Sequence, residues 1–381
     1  MLLLRHSKTL FLLFKRLFMQ INIENIWFGI ALVFVLSMVL SYFVNLFFLR
    51  YSGSLFSKKL PENAVRFSTQ RKPAIGGVSF YVSFIFGIMV FLLFFPYERD
   101  SLNSLEISAI IGTVSLGFVL GLYDDLRNSP VIAKFIIQFL IAFILIFAGV
   151  YIQLFENDYL NYALTVFWVV GIMNSINMLD NMDAITSVTS ISIIFTVLLY
   201  LFFKAEVNSI DFVIMVAVFG SLLGFLRFNW HPSKMYMGDV GSQFLGVLLA
   251  IIGIKYFWNF ADGNDALVNT KQIIVIAMAY VLPLSDTTTV FYKRIARGQS
   301  PFIGGRDHTT HHLSYIGLSV RKIALLFLGI GLLSSIFTIT ILLFIEEWSY
   351  LYFILFLCYV LAIFVSLFYI ANIHKEEDTK R

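Results

Sequence analysis

The sequence predicts an all-α integral membrane protein, a polytopic bundle of about 11 transmembrane helices, and three observations carry that expectation. The first is composition: 59% of the 381 residues are apolar and only 13% charged. A soluble domain has roughly 45–50% apolar and about 25% charged residues. The second is grouping, since the apolar residues fall into runs of about the 20 residues that a helix needs to cross a bilayer. The third is the lack of ten-residue segments of strict polar–apolar alternation, which a membrane β-barrel requires. With 42 Phe and 18 Tyr, the chain is excluded from the disordered class. A single cysteine, Cys358, excludes a disulfide framework and any multi-cysteine metal site. The formal charge of +4 is too weak to point to nucleic acid.

Taken in order, the runs are 26–48, 74–96, 105–122, 131–152, 160–178, 186–203, 210–228, 240–258, 271–292, 321–345 and 347–373. The third closes on the pair Asp124-Asp125, and Lys134 stands at the mouth of the fourth. The fifth ends in an Asn/Asp-rich segment, and Asp239 opens the eighth, where a helix N-terminus favours an acid. Asp286 is the deepest acidic residue of the ninth run. Only Glu346-Glu347 separates the tenth from the eleventh, the weakest boundary of the set.

One set of connections, with its flanking span ends, carries 19 Lys/Arg, and the opposite set carries four: Arg99, Lys204, Lys255 and Lys271. The positive-inside rule makes the first side cytoplasmic. The C-terminus is then inside, and eleven spans put the N-terminus outside. Residues 1–25 form a basic, amphipathic segment before the first span. It reads either as an interfacial helix or as untranslated sequence upstream of a start at Met19, and no small-residue cleavage pattern supports a signal peptide. Residues 26–373 then make one polytopic domain and 374–381 a cytoplasmic tail.

Four polar clusters lie on the basic side. Asp124 and Asp125 with Lys134 place two repelling carboxylates at a membrane surface, which a cation or proton would relieve; an ordinary charged loop is the plainer alternative. Asn174, Asn177, Asp180 and Asp183 follow, the first three at a spacing that keeps them near one helical face. Their oxygens suit Mg²⁺, whereas helix capping explains only one of the four. Tyr236-Met-Gly238-Asp239-Val-Gly241-Ser242 combines an aromatic ring that could stack on a base with glycines that admit a ligand's close approach, though Asp239 also reads as an N-cap. The last is a basic, glycine-bearing connection ending Arg306-Asp307-His308-Thr-Thr-His311-His312. Clustered histidines suggest zinc, but the cationic surroundings and absent cysteines favour a diphosphate. Together these are parts for metal-assisted phosphoryl transfer.

In this order, from Lys72-Pro-Ala-Ile-Gly76-Gly77 to His312, the motifs resemble those of the polyprenyl-phosphate N-acetylhexosamine-1-phosphate transferase superfamily, which includes the phospho-N-acetylmuramoyl-pentapeptide transferases. The resemblance implies transfer of a HexNAc-1-phosphate, GlcNAc-1-phosphate above all, from a UDP-sugar to a polyprenyl phosphate with release of UMP. That would be the first membrane step of cell-surface glycan synthesis at a bacterial inner membrane, with the site on the cytoplasmic face. It implies Mg²⁺, with Mn²⁺ as a substitute, held by Asn177 and Asp239. Asp124, Asp125, Lys134 and His308 would be catalytic. Lys72, Asn174, Asp180, Asp183, Tyr236, Arg306, His311 and His312 would bind substrate, with Tyr236 stacked on uracil. A homodimer is compatible with it. Two departures stand out: Asn181 and Ala184 occupy positions usually glycine, and the histidine motif is interrupted by two threonines. The interruption resembles the GlcNAc branch; the muramoyl-pentapeptide branch is the runner-up, and a secondary transporter is the alternative of another class.

Overall fold

The computed structural model describes residues 26–55, 72–95, 104–260, 266–300 and 305–373. The amphipathic segment 1–25, most of the first basic connection, residues 301–304 and the tail from 374 lie outside the described residues. The described elements are helical: α1 (Ile26–Leu55), α2 (Val78–Phe94), α3 (Leu105–Arg127), α4 (Val131–Phe147), α5 (Asp158–Leu179), α6 (Ile185–Phe203) and α7 (Ile210–Asn229). Then come α8 (Gly238–Ile252), running on as a π-helical turn (Gly253–Trp258), and α9 (Ala266–Ala279), α10 (Val281–Ala296), α11 (Thr309–Tyr315), α12 (Val320–Leu343) and α13 (Tyr350–Ile373).

Eight of these are long and apolar enough to cross a membrane. The second and fourth runs form shorter helices, α2 and α4, of 17 residues each. The ninth run is not one straight span: α9 and α10 meet at an angle of 82°. Tyr280 lies at the break and Pro283 in the first turn of α10, where its missing N–H costs no helical hydrogen bond.

α8 forms the centre, with 89% of its apolar window buried, against 11% for α13 at the periphery. It packs on α3 and α5 most extensively, and also on α2 and α6. Glycines make those crossings close. A Cβ on Gly77 would lie 2.1 Å from the Gly241 Cα, and one on Gly121 would lie 2.1 Å from the Asp239 carbonyl oxygen. The helix backbones therefore meet where only hydrogen atoms fit between them, and the carboxylates of α3 and α8 arrive at the same place.

Candidate active site

The paired carboxylates are helical: α3 continues through Arg127, so Asp124 and Asp125 sit in its last turns and not in a loop. They face different partners. Asp124 is buried and forms an ion pair with Lys134 in the first turn of α4, and its Oδ1 accepts from the Ser129 N–H at 2.7 Å. Asp125 Oδ2 accepts from the Val240 N–H at 2.9 Å, which fastens the end of α3 to the N-terminus of α8. The α8 end is opened by Gly238, whose φ of 75° suits glycine and whose Cβ, if present, would meet Asp125 at 2.6 Å.

The carboxyl group of Asp239 lies beside that of Asp124, and two acids so close are relieved by a proton or a cation between them. Asn177, on the last turn of α5, donates to Asp239 Oδ1 at 2.7 Å and to Ser242 Oγ at 2.8 Å. One turn back, Asn174 donates to Gln138 Oε1 at 2.8 Å, and Gln138 reaches Gln243 at 3.4 Å. Asp125, Lys134, Asn174, Asn177, Asp180, Tyr236 and Asp239 are all half-buried. They mark the polar opening of the bundle.

Beside it, residues 72–77 run parallel to 236–237 with strand-like pairing. The Tyr236 N–H donates to Pro73 O, the Gly76 N–H to Tyr236 O and the Gly77 N–H to Met237 O, at 2.9 to 3.0 Å. Lys72 lies over the Tyr236 ring, 5.3 Å from its centroid, and donates to Ser233 Oγ at 3.0 Å. Asp183 accepts from the Ser233 hydroxyl at 2.7 Å and the Ser233 N–H at 3.0 Å, and lies 2.8 Å from His231 Nδ1. These contacts direct Asp183 onto the loop that carries Tyr236 and Asp239. Ala184, the second departure from glycine, adopts φ 68°, a left-handed conformation that glycine tolerates without cost. Its N–H is met by Asn229 Oδ1 at 3.1 Å.

The histidine connection closes the third side. Asn181 Oδ1 accepts from Thr310 Oγ1 at 2.6 Å, joining the end of α5 to α11. His308 Nδ1 lies 2.8 Å from Asp286 Oδ2 on α10. His311 is buried, and burial, with His308 beside it, pushes its imidazole down to about 4, so it is neutral at pH 7. His312 turns the other way, with Nε2 2.7 Å from the Lys293 ammonium, which also donates to Ala371 O in α13. Arg294 grips Asp307 through two bonds of 2.9 and 2.7 Å, and the Arg294 guanidinium holds that carboxyl below the usual range despite its burial. Arg306 is exposed at the outer edge.

Of the residues singled out in the sequence, the structure brings together Asp124, Asp125, Lys134, Asn177 and Asp239, with Asn174 one turn behind. Lys72 and Tyr236 line one flank; His308 and His311 lie on the other, reached through Asn181. Asp183 and His312 are occupied within the protein, by Ser233 with His231 and by Lys293 respectively. Gln138, Gln243 and Asp286 escaped the sequence reading as site residues. Their signal was faint: each is a polar residue at a helical position inside or beside an apolar run.

Among the described residues no three His, Cys, Asp or Glu groups converge as a metal cage, which disfavours a zinc centre. Mg²⁺ asks for less, because it keeps waters and takes one or two carboxylates beside substrate phosphates. The abutting Asp124 and Asp239 carboxyls and the adjacent Asn177 amide fit that donor set. Ligation by Asn177 and Asp239 together would replace their mutual hydrogen bond.

Comparison with known proteins bears on this arrangement. Over 304 residues the chain is 26% identical to a probable undecaprenyl-phosphate N-acetylglucosaminyl 1-phosphate transferase of Bacillus subtilis (strain 168), covering 77% of this chain and 79% of the relative. It is 24% identical over 287 residues to a decaprenyl-phosphate N-acetylglucosaminephosphotransferase of Mycolicibacterium smegmatis, covering 70% and 71%. A phospho-N-acetylmuramoyl-pentapeptide-transferase of Streptococcus equi subsp. equi matches at 27% over 350 residues, covering 82% and 97%. Residues 107–257, which carry Asp124, Lys134, Asn177, Tyr236 and Asp239, match the model of glycosyl transferase family 4.

Proposed function

We propose that the protein transfers N-acetylglucosamine-1-phosphate from UDP-N-acetylglucosamine to a polyprenyl phosphate, releasing UMP. The observation that carries this reading is the meeting of Asp124, Lys134, Asn177 and Asp239 at one end of apolar helices, where a lipid phosphate and a water-soluble diphosphate can both arrive. The two N-acetylglucosaminyl phosphotransferase relatives support the sugar. The 19-to-4 basic bias supports a site on the cytoplasmic face of the bacterial inner membrane.

The lipid phosphate oxygen attacks the sugar-linked phosphorus, and the bond to the UMP oxygen breaks. A bound Mg²⁺ supplies charge neutralisation for the diphosphate. Lys134 adds a fixed positive charge beside Asp124, suited to the acceptor phosphate. Asp124, beside Lys134, is assigned the residual proton of the acceptor, and Asp125, bonded to the Val240 N–H, the hold on α8. Tyr236 offers the ring face away from Lys72 to the base, and Asp183 holds the loop that presents it. Asp180, at the end of α5, and Arg306, exposed at the rim, are assigned to the sugar diphosphate as it enters.

Purified protein, undecaprenyl phosphate and UDP-GlcNAc labelled in the sugar are the test, with and without Mg²⁺ and against UDP-MurNAc-pentapeptide. The expected outcome is Mg²⁺-dependent label in lipid with stoichiometric UMP. Transfer from the muramoyl donor alone would move the protein to that branch, and transfer from neither would end the transferase reading. For topology, Gln299→Cys on a Cys358→Ala background is expected to resist an impermeant thiol reagent in intact cells and to react after lysis.

A further inference from the structure

Asp286 is 1% exposed, and among the described residues the hydrogen bonds to its carboxylate come from two adjacent residues at the start of α11. Oδ1 accepts from the Thr309 N–H at 2.8 Å and the Thr309 hydroxyl at 2.7 Å; Oδ2 faces His308 Nδ1 at 2.8 Å. The carboxylate reaches this place because of the broken helix. After the 82° turn, α10 is tied to α5 by Ser175, whose hydroxyl donates to Pro283 O at 2.9 Å and accepts from Thr287 at 2.7 Å. Asp286 therefore stands on the element that is bolted to the same helix that carries Asn177.

A carboxylate meant only to cap α11 would be satisfied by the two bonds from Thr309. The third contact does something different. A carboxylate accepts and does not donate, so it keeps the proton of His308 on Nδ1 whether the ring is neutral or charged. Nε2 is then the nitrogen left for work, as acceptor in the neutral ring and as donor in the charged one. The other imidazole nearby, His311, has its ring centroid 5.5 Å from that of His308 in an edge-on arrangement.

Resting on the transferase reading, we propose that Asp286 is a positioning residue that fixes the tautomer and orientation of His308 for phosphoryl transfer. It acts through His308 and touches no substrate. Asp286→Asn is the informative variant, because the amide oxygen can keep the Thr309 bonds while the NH₂ group donates to Nδ1 and drives the ring proton to Nε2.

The experiment combines kinetics with ¹⁵N NMR of histidine in the full-length, detergent-solubilised protein. For Asp286→Asn, kcat is expected to fall at least 10²-fold with KM for the UDP-sugar within about threefold, and the His308 signals to report exchange of the protonated nitrogen. Thr309→Val, which removes a bond to Asp286 without touching Nδ1, is expected to keep kcat within about threefold. Asp286→Asn in a His308→Ala background is expected to cost nothing further. The proposal is overturned by an unchanged tautomer in Asp286→Asn, by equal losses in Thr309→Val and Asp286→Asn, or by multiplicative losses in the double variant. Inactivity of the wild-type protein with every donor would instead sink the transferase reading, and the NMR arm would still decide whether Asp286 sets the ring.

Discussion

The two ends of the central helix α8 both carry charge networks, and they are built to opposite plans. At the far end, in the π-helical turn, Lys255 is held by Asp211 at 2.5 Å and Glu106 at 2.7 Å, while the Tyr256 hydroxyl donates to the same Asp211 oxygen at 2.5 Å. One cation is shared by two acids drawn from the first turns of α3 and α7, and the arrangement is complete. At the near end, Asp124 and Asp239 abut each other, Asp125 stands next to them, and one ammonium, that of Lys134, is paired with Asp124. Three carboxyl groups gathered at one place favour a cation among them. The contrast teaches that a cation shared between two acids staples helices, whereas carboxyl groups crowded together recruit one.

The comparison breaks first at Asp239. Asp239→Asn and Asn177→Ala are expected to lower turnover at least 10²-fold with insertion and folding intact, as loss of preorganised charge does elsewhere. A rate near normal at ordinary Mg²⁺ would show that the near end is only another staple. Next comes the division of labour between neighbours. Asp124→Asn is expected to recover part of its rate above about pH 8, where a phosphate monoester with a second pKa near 6 needs no base. Asp125→Asn, having lost its bond to α8, should remain impaired at every pH, so rate–pH profiles at saturating lipid separate the two. At the far end, Lys255→Met is expected to leave kcat within about twofold and to destabilise the protein by about 2 kcal/mol, since it strands two partly buried carboxylates. Thermal unfolding in detergent reads that loss; a large fall in kcat would mean the far end is more than a staple. The smallest effect belongs to Ala184→Gly, expected to change stability by about 1 kcal/mol or less in the stabilising direction by relieving the left-handed alanine.

Much of this was legible in the sequence. Length and hydropathy located the helices, because a bilayer leaves the chain few choices for satisfying its backbone. The motif order located Asp124, Asn177, Tyr236 and Asp239. What hydropathy could not show is the bend at Tyr280, since the apolar run continues across it and the break is held by contacts with α5. Asp286 looked like a buried acid in a span because its partners lie 22 and 23 residues away, at the start of α11. Asp183 and His312 carried the right residue types, but a sequence gives no direction to a side chain. In the fold they turn inward, one onto Ser233 and the other onto Lys293.

The bend between α9 and α10 also has a mechanical consequence. A straight span can slide along its own axis, but a pair turned through 82° meets its neighbours across two directions and resists such movement. The two bonds of Ser175, to Pro283 O and from the Thr287 hydroxyl, then set the depth of α10 against α5. Ser175→Ala removes both, and is expected to lower the thermal midpoint of the protein in detergent.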